Sequence, residues 1–72
     1  MSTATAFSVT VNGEPRRVTA GATIAFMLRE IGIDPARVAV ERNLAIIPRS
    51  TLEDVPVEDG DRFEIVHFVG GG

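Results

Sequence analysis

A chain of 72 residues without a single cysteine has only packing and hydrogen bonding to hold it folded. At this size a domain buries only about 60% of the surface its unfolded chain exposes. No disulfide can compensate, and no cysteine-based metal site can form. The fold must therefore be one compact, regular domain covering residues 1–72, with every element contributing to a single core. A core that small leaves little room for a deep substrate pocket, which typically takes roughly 300 Å3 or more. Length alone therefore argues against a self-sufficient enzyme.

Charge narrows the partners. The formal net charge is −3, and the seven basic residues are scattered arginines. A nucleic-acid binder needs a basic stripe, which this is not. The longest apolar run, from Ile24 to Leu28, is far short of the ~20 residues of a membrane span. Residues 1–6 have neither the charged nor the apolar region of a signal peptide, so they read as a frayed terminus and the cytoplasm as the compartment.

Periodicity assigns the elements. Phe7, Val9 and Val11 alternate with Ser8 and Thr10, the pattern of a half-buried strand. Asn12-Gly13 follows, a strong hairpin signal because both residues tolerate positive φ. Pro15 limits the first pairing of a returning edge strand over residues 16–19, with Val18 inward. Ala20-Gly21-Ala22 breaks it, and Thr23 is placed to cap a helix. Ile24, Met27, Leu28 and Ile31 then share one helical face, and Gly32 and Pro35 end a helix of about nine residues. Phe26 lies off that stripe, at the helix margin or against a partner.

Val38 and Val40 alternate with Ala39 and Glu41, giving a third strand. Asn43 marks a turn. Ile46-Ile47 before Pro48 forms a short extended piece, because the residue before proline avoids the α region. Residues 51–56 have room for one helical turn. Glu58-Asp59-Gly60-Asp61 reads as a tight, solvated turn whose charge, with Glu64, also has the sign to steer a basic partner. Residues 62–69 are the last strand, with Phe63 and Ile65 on one face and Glu64, Val66 and Phe68 on the other. The expected fold is an α+β roll: a mixed sheet of four to five strands, with one main helix crossing one face.

The end of the chain carries the candidate chemistry. Val66 and Phe68 place two large apolar groups on the face away from the helix, a candidate docking surface together with Val69. Residues 69–72 read as a flexible tail reaching roughly 13 Å at ~3.3 Å per residue. Gly70 and Gly71 have no side chains to obstruct a narrow channel. They leave one reactive group at the tip, the Gly72 carboxylate. A carboxylate is a poor electrophile, and conversion to an acyl-adenylate with ATP supplies a leaving group. His67, the sole histidine, has no evident partner to fix its tautomer and sits at the strand end near the tail. No Ser/His/Asp set, P-loop or dinucleotide fingerprint is present. No catalytic residue and no metal ligand is assigned.

The run Asp59-Gly-Asp-Arg-Phe-Glu-Ile-Val-His-Phe-Val-Gly-Gly-Gly72 resembles the C-terminus of the ThiS sulfur carriers of thiamin thiazole biosynthesis. Val38-Ala-Val-Glu-Arg-Asn43, Ile46-Ile-Pro-Arg-Ser50, Val11-Asn-Gly-Glu14 and Gly21-Ala-Thr-Ile24 fit the same family. The likeness covers about residues 7–72. It implies a β-grasp (ubiquitin-like) fold, free as a monomer and holding no cofactor of its own. It implies that a ThiF-type adenylating enzyme activates Gly72 with ATP, and that a cysteine desulfurase persulfide supplies sulfur for a C-terminal thiocarboxylate. The thiazole synthase ThiG then takes that sulfur. Residues 1–6 and Phe26, where the family leads one to expect a polar residue, depart from the pattern. The tail motif is shared with the MoaD-type small subunit of molybdopterin synthase and with ubiquitin-like modifiers, and a plain interaction domain with an idle tail is the remaining alternative.

Overall fold

The computed structural model describes residues 5–69; Gly70, Gly71 and Gly72 lie outside the described residues, as do residues 1–4. Five strands form one mixed sheet: β1 (Ala6–Val11), β2 (Glu14–Thr19), β3 (Val38–Arg42), β4 (Ala45–Ile47) and β5 (Arg62–His67). Their order across the sheet is β2-β1-β5-β3-β4. The last strand in the chain is thus the central one. It runs parallel to β1, through Thr10↔Arg62 and Val11↔Phe63, and antiparallel to β3, from Val38↔His67 to Arg42↔Phe63. This is the expected α+β architecture with five strands.

One helix, α1 (Ile24–Glu30), lies across one face. Thr23 caps it, its hydroxyl accepting the Phe26 N–H at 3.1 Å. The helix has seven residues where the stripe predicts about nine. Ile31 is already the C-cap, because Gly32 follows at φ 87° and turns the chain away. Ile24, Ala25, Met27 and Leu28 are buried against Val9, Val11, Val18, Val38, Val40, Phe63 and Ile65. Every one of those strand residues comes from the face that the alternation marks as inward.

Several expectations shift. Ala6 belongs to β1 rather than to a frayed end, pairing with Thr19, and Thr5 accepts the Ala20 N–H at 3.2 Å. Strand β2 begins at Glu14 and includes Pro15, which an edge strand accommodates because its N side faces no ladder partner. The helical turn expected within residues 51–56 is a 3-10 turn at Arg49–Thr51, and a second one, Pro35–Arg37, precedes β3. The segment between β4 and β5 also completes the core: Leu52 and Val57 are fully buried, and Ile24 and Ala25 donate their N–H groups to Val55 and Leu52. Phe26 is half exposed.

Candidate functional site

The tail-bearing strand is held from both sides by side chains as well as by its neighbours. On one side the Asn12 carboxamide accepts the Ile65 N–H at 2.7 Å and donates to the Ile65 carbonyl at 3.1 Å. On the other, Asn43 Oδ1 accepts the Arg62 N–H at 3.0 Å and its Nδ2 donates to Asp61 at 3.1 Å. Asp61 is buried, and also accepts the Glu58 N–H at 2.8 Å, with Arg42 at 3.7 Å. Asp59 accepts the Ser8 N–H at 2.7 Å. The acidic turn is therefore not simply solvated. Two of its carboxylates are internal hydrogen-bond acceptors that fix where β5 begins.

The strand delivers the chain to its open face. Phe63 and Ile65 enter the core, whereas Val66 is 65% exposed on the other face, opposite Ala39 of β3. Past the end of β5, Phe68 donates its N–H to the Arg37 carbonyl at 2.9 Å. Its ring lies under the Arg49 guanidinium, 4.7 Å from the cation to the centroid, a cation–π contact. Phe68 therefore does not face water freely; it is half covered. Val69 follows at 98% exposure. Phe68, held in this way, stands two positions before Gly70 in the sequence.

The apolar surface is wider than Val66, Phe68 and Val69. Ile46 on β4 is 78% exposed and Leu44, in the β3–β4 turn, 90% exposed. Ile46, Pro48, Ala39, Arg49 and Phe68 border one shallow depression beside the tail root. Ile46 was legible in principle: with Ile47 inward, alternation sends Ile46 outward. Arg49 carried no signal, since its role depends on the fold bringing it over Phe68. His67 ends β5, exposed and level with Val38. Among the described residues no group of three or more His, Asp or Glu side chains is placed to hold a metal ion, and no helix is long and apolar enough to cross a membrane.

The sequence model of the ThiS family matches residues 9–72. A thiazole synthase of Paramagnetospirillum magneticum is 52% identical over 62 residues, 86% of this chain but 19% of that protein, so the chain spans about a fifth of its length. The sulfur carrier protein ThiS of Thermus thermophilus is 38% identical over 64 residues, 89% of this chain and 98% of that one. The crystal structure of the thiamine biosynthesis protein ThiS from Geobacter metallireducens superposes with a TM-score of 0.75 at 30% identity, over 92% of this chain and 100% of that chain. The strand order and crossing helix are thus those of a β-grasp fold.

Proposed function

The chain belongs to the ThiS family, and from that membership we propose that it is a sulfur carrier of thiamin biosynthesis whose working group is the Gly72 carboxylate. The observation that carries this reading is the course of β5. The most enclosed strand of the sheet ends in an anchored Phe68 and an exposed Val69, directly before Gly70-Gly71-Gly72. A rigid body whose last described residue is exposed and is followed in sequence by residues without side chains suits the presentation of a terminal carboxylate to another protein's active site.

In this reading the chain is a co-substrate and its partners supply the catalysis. A ThiF-type enzyme brings ATP; the Gly72 carboxylate attacks the α-phosphorus and pyrophosphate leaves. A persulfide sulfur, derived from a cysteine desulfurase, displaces AMP from the acyl-adenylate. Cleavage of the resulting acyl disulfide by a partner's thiol leaves a thiocarboxylate on Gly72. A thiazole synthase then accepts the sulfur, as the likeness to the Paramagnetospirillum protein supports. Gly70 and Gly71 thread the partner's channel, and Val66, Phe68 and Val69 dock against its rim. The setting is the cytoplasm.

The test is intact-mass analysis of the chain after incubation with ATP, the adenylating enzyme and a persulfide donor. The expected product has one terminal oxygen replaced by sulfur. Thiamin synthesis that continues undiminished with Gly72 deleted would overturn the reading.

A further inference from the structure

The chain makes the same turn twice, and the two copies differ in one residue. Asn12-Gly13 joins β1 to β2 with Val11 opposite Glu14, and Asn43-Leu44 joins β3 to β4 with Arg42 opposite Ala45. Both are two-residue turns with both φ angles positive: 51° and 83° in the first, 51° and 71° in the second. This geometry is ordinarily met by Asn-Gly, because a Cβ is disfavoured in the left-handed region. Asn12 and Asn43 carry the only side-chain amides of the sequence, which has no glutamine. Each carboxamide reaches across to the last strand or the turn before it, Asn12 to Ile65 and Asn43 to Arg62 and Asp61.

The residue after each asparagine gives the two amides different chemistry. A backbone nitrogen beside a side-chain carboxamide is an internal nucleophile. When the Gly13 nitrogen gives up its proton and bonds to Asn12 Cγ, the bond from Cγ to Nδ2 breaks. The displaced nitrogen takes up a proton from solvent and leaves as ammonia, and the product is a cyclic imide. Water then opens the imide at either carbonyl, giving aspartate or isoaspartate. The balance is water in and ammonia out, with no change of oxidation state. Glycine puts no side chain beside the attacking nitrogen. At Asn43 the branched side chain of Leu44 crowds that nitrogen and hinders the same closure.

The fold holds this reaction off at Asn12. Its carboxamide is engaged at both ends, Oδ1 accepting the Ile65 N–H at 2.7 Å and Nδ2 donating to the Ile65 carbonyl at 3.1 Å. Cγ turns toward the Gly13 nitrogen only when both bonds are broken. Breaking them does not require the whole domain to unfold, because the β1–β5 ladder has two register pairs and the carboxamide lies at its end. The products do not restore the junction. An aspartate carboxylate has no donor for the Ile65 carbonyl, and isoaspartate lengthens the turn backbone by a methylene. We propose that Asn12-Gly13 is a spontaneous deamidation site gated by the last strand. Asn12 is protected while it is bonded to Ile65, and each opening of that junction exposes it to a conversion after which the pair of bonds cannot re-form. The site goes beyond the carrier reading and does not depend on it.

The full chain is to be incubated at mildly alkaline pH, in buffer and in guanidinium chloride, and conversion at each asparagine followed by mass spectrometry of its peptides. Exchange of the Ile65 amide proton, whose acceptor is Asn12, is measured by NMR on the native chain. In denaturant Asn12 is expected to convert while Asn43 lags far behind. In buffer Asn12 is expected to convert at least roughly tenfold more slowly than in denaturant, by a factor that matches the protection of the Ile65 amide. An Asn12 that outlasts or equals Asn43 in denaturant overturns the site. Equal rates in the two conditions overturn the gate. So does slow conversion in buffer beside an unprotected Ile65 amide, which assigns the protection to the turn alone. In the isolated deamidated chain the Ile65 amide is expected to exchange several-fold faster, and unchanged exchange there shows that the junction re-forms, against the proposal.

Discussion

Asn12 acts at the end of β1 as a peptide group would. The parallel ladder between β1 and β5 has only two register pairs before the chain turns back. The Asn12 backbone N–H still reaches the Phe63 carbonyl at 2.9 Å, and its side chain then takes both the N–H and the C=O of Ile65. A carboxamide has one acceptor and one donor group in the spacing of a peptide, so it supplies the next rung. Asn12→Ala leaves both Ile65 groups unpaired in a partly buried place and is expected to cost about 1–3 kcal/mol in urea denaturation. Asn12→Asp, which keeps the acceptor and loses the donor, should fall between. A midpoint equal to that of the unmodified chain in Asn12→Ala would show the rung to be dispensable. The sequence marks Asn12 as a turn residue, but its bond to a residue 53 positions away has no local signature.

At the scale of elements, a seven-residue helix does not persist by itself in water, where about 12–15 residues are marginal. Its persistence comes from its buried face, its Thr23 cap and a tie to the sheet at its far end. There the Glu30 carboxylate accepts the Thr19 hydroxyl at 2.7 Å and the Thr19 N–H at 3.1 Å. These bonds, the hydroxyl first, hold the Glu30 carboxyl below its ordinary value of 4.5. A carboxyl depressed on folding contributes stability above its unfolded pKa, and that contribution is lost as the pH falls through the folded pKa. Glu30→Gln should therefore melt below the unmodified chain at pH 7, and the gap should close in acid, below the ordinary glutamate range. A gap of constant size across that range would place the stabilisation elsewhere than in the carboxylate. The helical stripe was readable from spacing alone; the tie was not, because Thr19 and Glu30 meet only when the helix folds back over β2.

The whole molecule is a sheet closed on one face and open on the other. The closed face holds the fold, and the open one is available to partners. Val66 belongs to the second, 65% exposed with Ala39 as its cross-strand neighbour. Val66→Asp should change stability by no more than about 0.5 kcal/mol, as exposed positions away from special features do. Under the carrier reading it should slow adenylation of Gly72 by the partner enzyme, measured as pyrophosphate release. Wild-type kinetics in a folded Val66→Asp protein would remove Val66 from the docking surface. At this scale the apolar surface was partly legible: alternation put Val66 and Phe68 outward. The cover of Arg49 over Phe68, and the extension through Ile46 to Leu44, needed the order of strands.

Taken by itself, the sequence determined what depends on near neighbours. Alternation in β1, β3 and β5 assigned the inward valines, Phe63 and Ile65, and the spacing of Ile24, Met27 and Leu28 assigned the helix face. Asn12-Gly13 announced its turn. Tertiary structure alone decided what depends on partners distant in sequence. It placed the last strand at the centre of the sheet and buried Asp61 as a hydrogen-bond acceptor. It drew Leu52 and Val57 into the core and set Leu44 in a left-handed turn with its side chain in solvent. The physical reason is that periodicity is a property of a few consecutive residues. Strand order, the satisfaction of buried polar groups and the strain a turn can bear are settled by contacts across dozens of residues, and no local pattern encodes them.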